Sequence, residues 1–204
     1  MSIIDDFIGA LELGQRSGAM TIEKTMDLIL AKARRHTAAE AGSIFIVRPN
    51  ADEPAELKAC SLQNDRIQMN QETFSVPINK TSIAGYVAVT GEVVEVDDLY
   101  EISPNMPYSF NRSFDDRAGY RSKSMLAFPL KNYQGQVIGV VQLLNHINGV
   151  DELGTPTYEP FPFTFVDDMK SLISVLGAMV ERTDLLFEIK KLRKEVEALR
   201  GIKA

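Results

Sequence analysis

The chain has 204 residues, 45% hydrophobic and 25% charged, with a formal net charge of −6 at pH 7 and one cysteine, Cys60. This is the make-up of an ordinary globular protein of one domain, with or without extensions, long enough to bury a core without staples. The acidic balance argues against nucleic acid, whose phosphates demand a basic surface. One cysteine excludes an internal disulfide, and no apolar run approaches the roughly 18 residues that cross a bilayer. The expectation is a cytoplasmic protein with no membrane and no nucleic-acid partner.

Ile3, Ile4, Phe7, Ile8 and Leu11 recur at helical spacing until Gly14, predicting an N-terminal helix within 1–20. That segment is too acidic for a secretory signal. Thr21 is placed to cap a second helix with the stripe Ile22, Met26, Ile29, Leu30 and Ala33. Residues 43–47 read as a core strand, 49–54 as a turn and 57–62 as the returning strand. Residues 74–78 form a short strand, 83–90 a short helix and 93–96 another strand. The stretch 97–123 is irregular and rich in Pro, Asn, Ser and Tyr; so long a loop in a compact domain is functional or disordered. Residues 124–131 and 137–144, joined by a turn ending in Gly135, read as an antiparallel hairpin. A second loop, 146–162, carries Pro156, Pro160 and Pro162, and the remainder is one long helical pattern. The fold expected is α+β: a central antiparallel sheet of about six strands flanked by helices, with a long C-terminal helix.

That last helix has two halves. Met169, Ile173, Leu176 and Val180 form a stripe suited to docking on the domain's own sheet. From Leu185 the apolar positions become Leu185, Ile189, Leu192, Val196 and Leu199, alternately four and three apart. With Ile189 and Val196 at a and leucines at d, the repeat favours a parallel two-stranded coiled coil. Glu188 and Glu195 then fall at g, opposite Arg193 and Arg200 at e of a partner. A homodimer through this helix is predicted; the plainer alternative is a solvated helical tail, since the repeat is shorter than about three to four heptads. The division expected is an N-terminal helix at 1–20, a domain at 21–180 and a coiled-coil helix at 181–204. The heptad breaks off near Gly201, which reads as a fragment whose helix once continued into an effector domain.

Asp115, Asp116, Arg117 and Arg121 crowd a loop that enters a buried strand, and such charge either solvates a surface or meets a ligand. Thr81 and Ser82 open the helix at Ile83, whose free N–H groups and dipole favour an anion. The plainer alternative is that one of these hydroxyls simply caps the helix. An enzyme finds no inventory here. His36 and His146 have no metal-ligand spacing, and no P-loop, G-x-S-x-G or H-E-x-x-H motif occurs. No catalytic residue and no metal ligand is nominated.

The segments PINKTSIAGYVAVTGEVVEVDD (77–98), YRSKSMLAFPL (120–130) and VIGVVQLLN (137–145) resemble a GAF domain, the small-molecule sensor module. The pattern is closest to the GAF domains of cyclic-nucleotide phosphodiesterases and adenylyl cyclases, over residues from about 26 to 180. The resemblance implies a GAF/PAS-like frame and a ligand under a lid formed by 97–123. It assigns the main chain at Ile83 and Ala84 to the cyclic phosphate. It places Ser43, Asn111, Asp115, Ala118, Ser122 and Gln142 toward the ligand, with Asp116 in the same lid. It implies no fixed cofactor, with cyclic AMP or cyclic GMP as the candidate ligand. Ala118 lacks the hydroxyl of a common threonine, Gln142 replaces an acid, and Ser61 offers no ring roughly where one would stack on the base. The relatives' signature reads here as Asn145-His146, Phe163 and Asp167-Asp168, with His146 in place of a lysine that would brace the frame through Asp167. His146 could do so only when protonated; otherwise it is a solvated loop histidine. A GAF-fold sulfoxide reductase needs several cysteines and a bilin domain needs one near the lid, and Cys60 meets neither need. The function implied is a non-catalytic sensor that signals through a dimeric C-terminal helix. The alternative is an interaction module whose cavity is plugged by its own Tyr100, Tyr108 or Phe110.

Overall fold

Strand β1 (Ala39–Arg48) decides which residues meet on each face of the sheet. Successive strand side chains point to opposite faces, so Ile44 and Ile46 enter one core while Phe45 enters another. In this computed structural model, residues 22–48, 54–68 and 74–201 are described. The same alternation sends Leu126, Phe128 and Leu130 of β5 (Met125–Lys131) to the first core and Met125 and Ala127 to the second.

The strands β2 (Glu56–Asn64), β3 (Ser75–Pro77), β4 (Val94–Val96) and β6 (Val137–Val150) complete an antiparallel path in the order β3-β2-β1-β6-β5-β4. A short β7 (Pro156–Glu159) pairs with the far end of β6. The first core is covered by α1 (Ile22–His36), which buries Met26, Ile29, Leu30 and Ala33, and by the first half of the long C-terminal helix. The second core is covered by α2 (Ile83–Thr90) and the segment 97–123, which contains α3 (Ser113–Ala118). The lid is tied at its middle and across its ends: Ser109 donates its N–H to Thr81 O at 2.9 Å, and Leu99 donates to Lys123 O at 2.7 Å.

The C-terminal helix, α4 (Thr164–Gly201), has 38 residues, about 57 Å at 1.5 Å per residue. Met169, Leu172, Ile173, Leu176 and Val180 are buried, whereas Leu185, Ile189, Leu192, Val196 and Leu199 are exposed. Gly177 allows the close approach to β5: a Cβ there would lie 2.4 Å from Lys131 O. Where docking ends, the Tyr133 N–H donates to Glu181 at 3.1 Å and Arg48 pairs with Asp184 at 3.2 Å.

Two loops of the sequence reading contain structure. Residues 146–162 are not a loop throughout, because β6 runs on to Val150 and turns back into β7. Pro156 stands first in β7, where a strand tolerates a missing N–H. The lid carries the one-and-a-half-turn α3, ended by left-handed Gly119. The expected helix at 1–20 and Thr21, the expected cap of the helix after it, lie outside the described residues, as does most of the 49–54 turn. Cys60 sits at a bulge between Ser61 and Ala59, half-buried, and burial pushes its thiol up from the ordinary range.

Candidate functional site

Ser43 and Gln142 are register partners on β1 and β6, so both side chains face the lid side of the sheet. Above them is a cavity of about 150 Å³. Its apolar walls include Phe45, Phe74, Phe110 and Phe114, and its polar edges include Asn111, Asp115 and Ser122. The Phe74 and Phe114 rings meet edge-on at 6.3 Å. These two rings and Asn111 also line a larger outer groove of about 710 Å³, which runs past Thr81 and Ser82 to Arg117.

Asp115 is 1% exposed, and its carboxylate is taken up by the chain itself. It accepts from Ser122 N at 2.7 Å, from Ser122 Oγ at 3.0 Å and from the Tyr100 hydroxyl at 3.0 Å. The guanidiniums of Arg112 and Arg121 lie 4.3 and 3.9 Å from the Tyr100 ring centroid, within cation–π range. Burial, and next the Asp115 carboxylate, raise the Tyr100 phenol above its usual range.

Below the lid's last residues lies a second buried carboxylate, Glu40 of β1. It accepts from Tyr120 at 2.6 Å, from Asn145 Nδ2 at 3.0 Å and from the Tyr158 hydroxyl of β7. Burial, followed by Glu40, pushes both phenols up. Asn145 holds a left-handed backbone (φ 58°), a conformation asparagine tolerates. Its side chain accepts from Lys123 N at 2.6 Å and donates to Arg121 O at 2.9 Å, tying the lid's end to β6.

Of the ligand positions expected from sequence, Ser43, Asn111, Asp115, Ser122 and Gln142 surround the cavity. Ile83 and Ala84 have their side chains in the second core, while Ser82 caps α2 by accepting from Gly85 N at 3.1 Å. Asp116 and Ala118 are on the exposed side of α3, away from the cavity lining. Ser61 faces the opposite side of the sheet, bonded to Asp27 of α1, so it leaves no gap in the cavity wall. The rings there come from Phe45, Phe74, Phe110 and Phe114 instead.

The brace expected between His146 and Asp167 is not formed, nor is His146 a solvated residue. It is buried, its Nδ1 lies 2.8 Å from Thr37 O, and its ring packs on Phe161 and Phe165. Asp167 pairs with Lys170 at 2.6 Å, Asp168 with His36 at 3.2 Å, and Phe163 is exposed. The sequence reading missed Glu40 and Tyr120. One signal for Glu40 was present: a lone acid within the apolar run AEAGSIFIV. Among the described residues no group of three or more His, Cys, Asp or Glu could hold a metal ion, and no helix is long and apolar enough to cross a membrane.

The chain is 34% identical over 119 residues to the dual 3′,5′-cyclic-AMP and -GMP phosphodiesterase 11 of Drosophila melanogaster, covering 54% of this chain and 8% of that protein. It is 29% identical over 140 residues to the cGMP-specific 3′,5′-cyclic phosphodiesterase of Drosophila virilis, covering 65% and 15%. The chain therefore spans less than a sixth of either relative. The GAF domain from a Coxiella burnetii phosphoenolpyruvate-protein phosphotransferase superposes with a TM-score of 0.64 at 14% identity, covering 92% of this chain and 98% of that one. The family model described as GAF domain matches residues 21–183, most of the chain, and the chain belongs to the GAF domain family.

Proposed function

We propose that this chain is a regulatory, non-catalytic module that binds a small molecule between β1, β6 and the 97–123 lid. The observation that carries this reading is the cavity itself: apolar rings with a few convergent polar groups, the make-up of a small-molecule site. A cyclic nucleotide is accommodated in two parts once the inner cavity opens beyond its one-ring size. Its base enters the inner cavity, and its ribose phosphate lies in the outer groove near the start of α2 and Arg117. The Phe74–Phe114 pair must part to admit it. The phosphodiesterase relatives favour the same ligand class and an output domain elsewhere in the parent protein. The helix α4, with Ile189 and Val196 exposed, then pairs with a second copy in the cytoplasm and carries the signal onward.

Calorimetric titration of the full chain with cyclic AMP and with cyclic GMP tests the nucleotide version. Saturable heat with one of them, lost in the cavity-filling Ser43→Leu variant, is expected. No heat with either, while a different metabolite stays bound through purification, would sink the nucleotide and keep the sensor.

A second reading has its own observation. At about 150 Å³ the cavity is below the roughly 300 Å³ at which ligand pockets begin, and Asp115 is already satisfied by the chain. The domain would then be an interaction module with a permanently shut lid. Lid amides that are fully protected from hydrogen exchange without ligand, and unchanged by cell extract, would favour this reading.

A further inference from the structure

Gln142 is 9% exposed, and its carboxamide is poorly matched where it sits. Oε1 accepts from Ser43 Oγ at a long 3.4 Å, and Nε2 donates to the Met125 sulfur at 3.3 Å. A thioether is a weak acceptor, and a carboxamide has two N–H groups and two acceptor sites to offer. Buried polar groups ordinarily spend that capacity on good partners. Its register neighbours on β1 and β5 are Ser43 and Ala127, both small, so neither covers the amide.

Two further observations narrow what could use it. No lysine, arginine or histidine is among the described residues lining the inner cavity, and the one carboxylate there, Asp115, is engaged with Ser122 and Tyr100. An anion buried at this spot would face a carboxylate with no cation to offset it, which is costly. The volume, about 150 Å³, is that of a cavity that takes one benzene-sized ring. The walls are aromatic and suited to a flat face.

We propose that Gln142 reads the edge of a single neutral heterocyclic ring in which an N–H donor adjoins a C=O acceptor, a lactam. Oε1 accepts the ring N–H and Nε2 donates to the ring oxygen, an in-plane pair of hydrogen bonds in place of the sulfur contact. The inference rests on the small-molecule reading above and goes beyond it: the ring is the element recognised, and sugar and phosphate are dispensable.

The test uses 2-pyridone, the simplest one-ring lactam, and N-methyl-2-pyridone, which keeps the ring and oxygen but loses the donor. Binding to the full chain is followed by ligand-observed NMR titration. The lactam is expected to bind at least about tenfold more tightly than its N-methyl form, the usual scale for a paired amide edge. Gln142→Met, close in volume, should remove that preference with the melting temperature little changed. Should the variant fail to fold, the comparison of the two ligands decides alone. Equal binding of both rings, or a preference that survives Gln142→Met, overturns the inference. Binding of cyclic AMP or cyclic GMP without binding of 2-pyridone also overturns it and leaves the sensor standing. Binding of none of these, with lid protection unchanged, sinks both.

Discussion

At Asp115, three donors from two lid segments converge on one carboxylate with almost no access to water. Removing the carboxylate leaves the Ser122 N–H and O–H and the Tyr100 hydroxyl without that acceptor. Asp115→Ala should therefore lower unfolding stability by about 3 kcal/mol, measured by urea denaturation. The Glu40 cluster makes a prediction of opposite chemistry. Tyr120 and Tyr158 have their phenol pKa values raised in the fold. A raised acid holds its proton longer when folded than when unfolded, so its stabilisation is complete below the unfolded value and is lost as pH climbs above it. Stability should be flat near neutrality and fall above about pH 10, the ordinary tyrosine value. Tyr120→Phe should flatten that alkaline limb, read from denaturant midpoints across the range.

Helix α4 is held to β5 by the absence of a side chain. Alanine at 177 gains helix propensity, about 1 kcal/mol, but its methyl would press on Lys131 O at 2.4 Å. That neighbour is backbone and cannot swing aside, so Gly177→Ala should lower the melting temperature by calorimetry. At this scale much of the fold was legible from sequence. The stripe of Met26, Ile29, Leu30 and Ala33 and the hairpin around Gly135 follow local rules of spacing and turn chemistry. What escaped depends on the rest of the chain. The strand β7 is a four-residue, proline-led edge whose ladder partner is β6, and α3 is too short to show a period. The site divides the same way. Ser43 and Gln142 were legible through the family resemblance and the strands that carry them, whereas the Glu40–Tyr120 contact joins residues 80 apart in sequence and no local pattern encodes it. No local pattern marks His146 as buried: it is covered because β6 runs on past Asn145 and the rings of Phe161 and Phe165 pack against it.

At the scale of the whole molecule, the far half of α4 presents an apolar stripe to solvent. Leu185, Ile189, Leu192, Val196 and Leu199 are each about half exposed, an arrangement that a second parallel copy would relieve. Replacing Ile189 and Val196 together by Asp should give a folded monomer by sedimentation, with the binding heat of the intact chain. A dimer that survives the double substitution would place the seam elsewhere.

The contacts at Glu181 and Asp184 stand where the buried half of α4 gives way to its exposed half. Beyond them α4 extends roughly 25 Å, so a tilt of about 10° at the root sweeps the tip through about 4 Å. A displacement of that size is about three-quarters of a helical turn in rise, while the same tilt moves atoms within about 5 Å of the root by less than about 1 Å. In a dimer formed through α4, spin labels at the two tips would therefore register a tilt at the root far more clearly than labels beside β5.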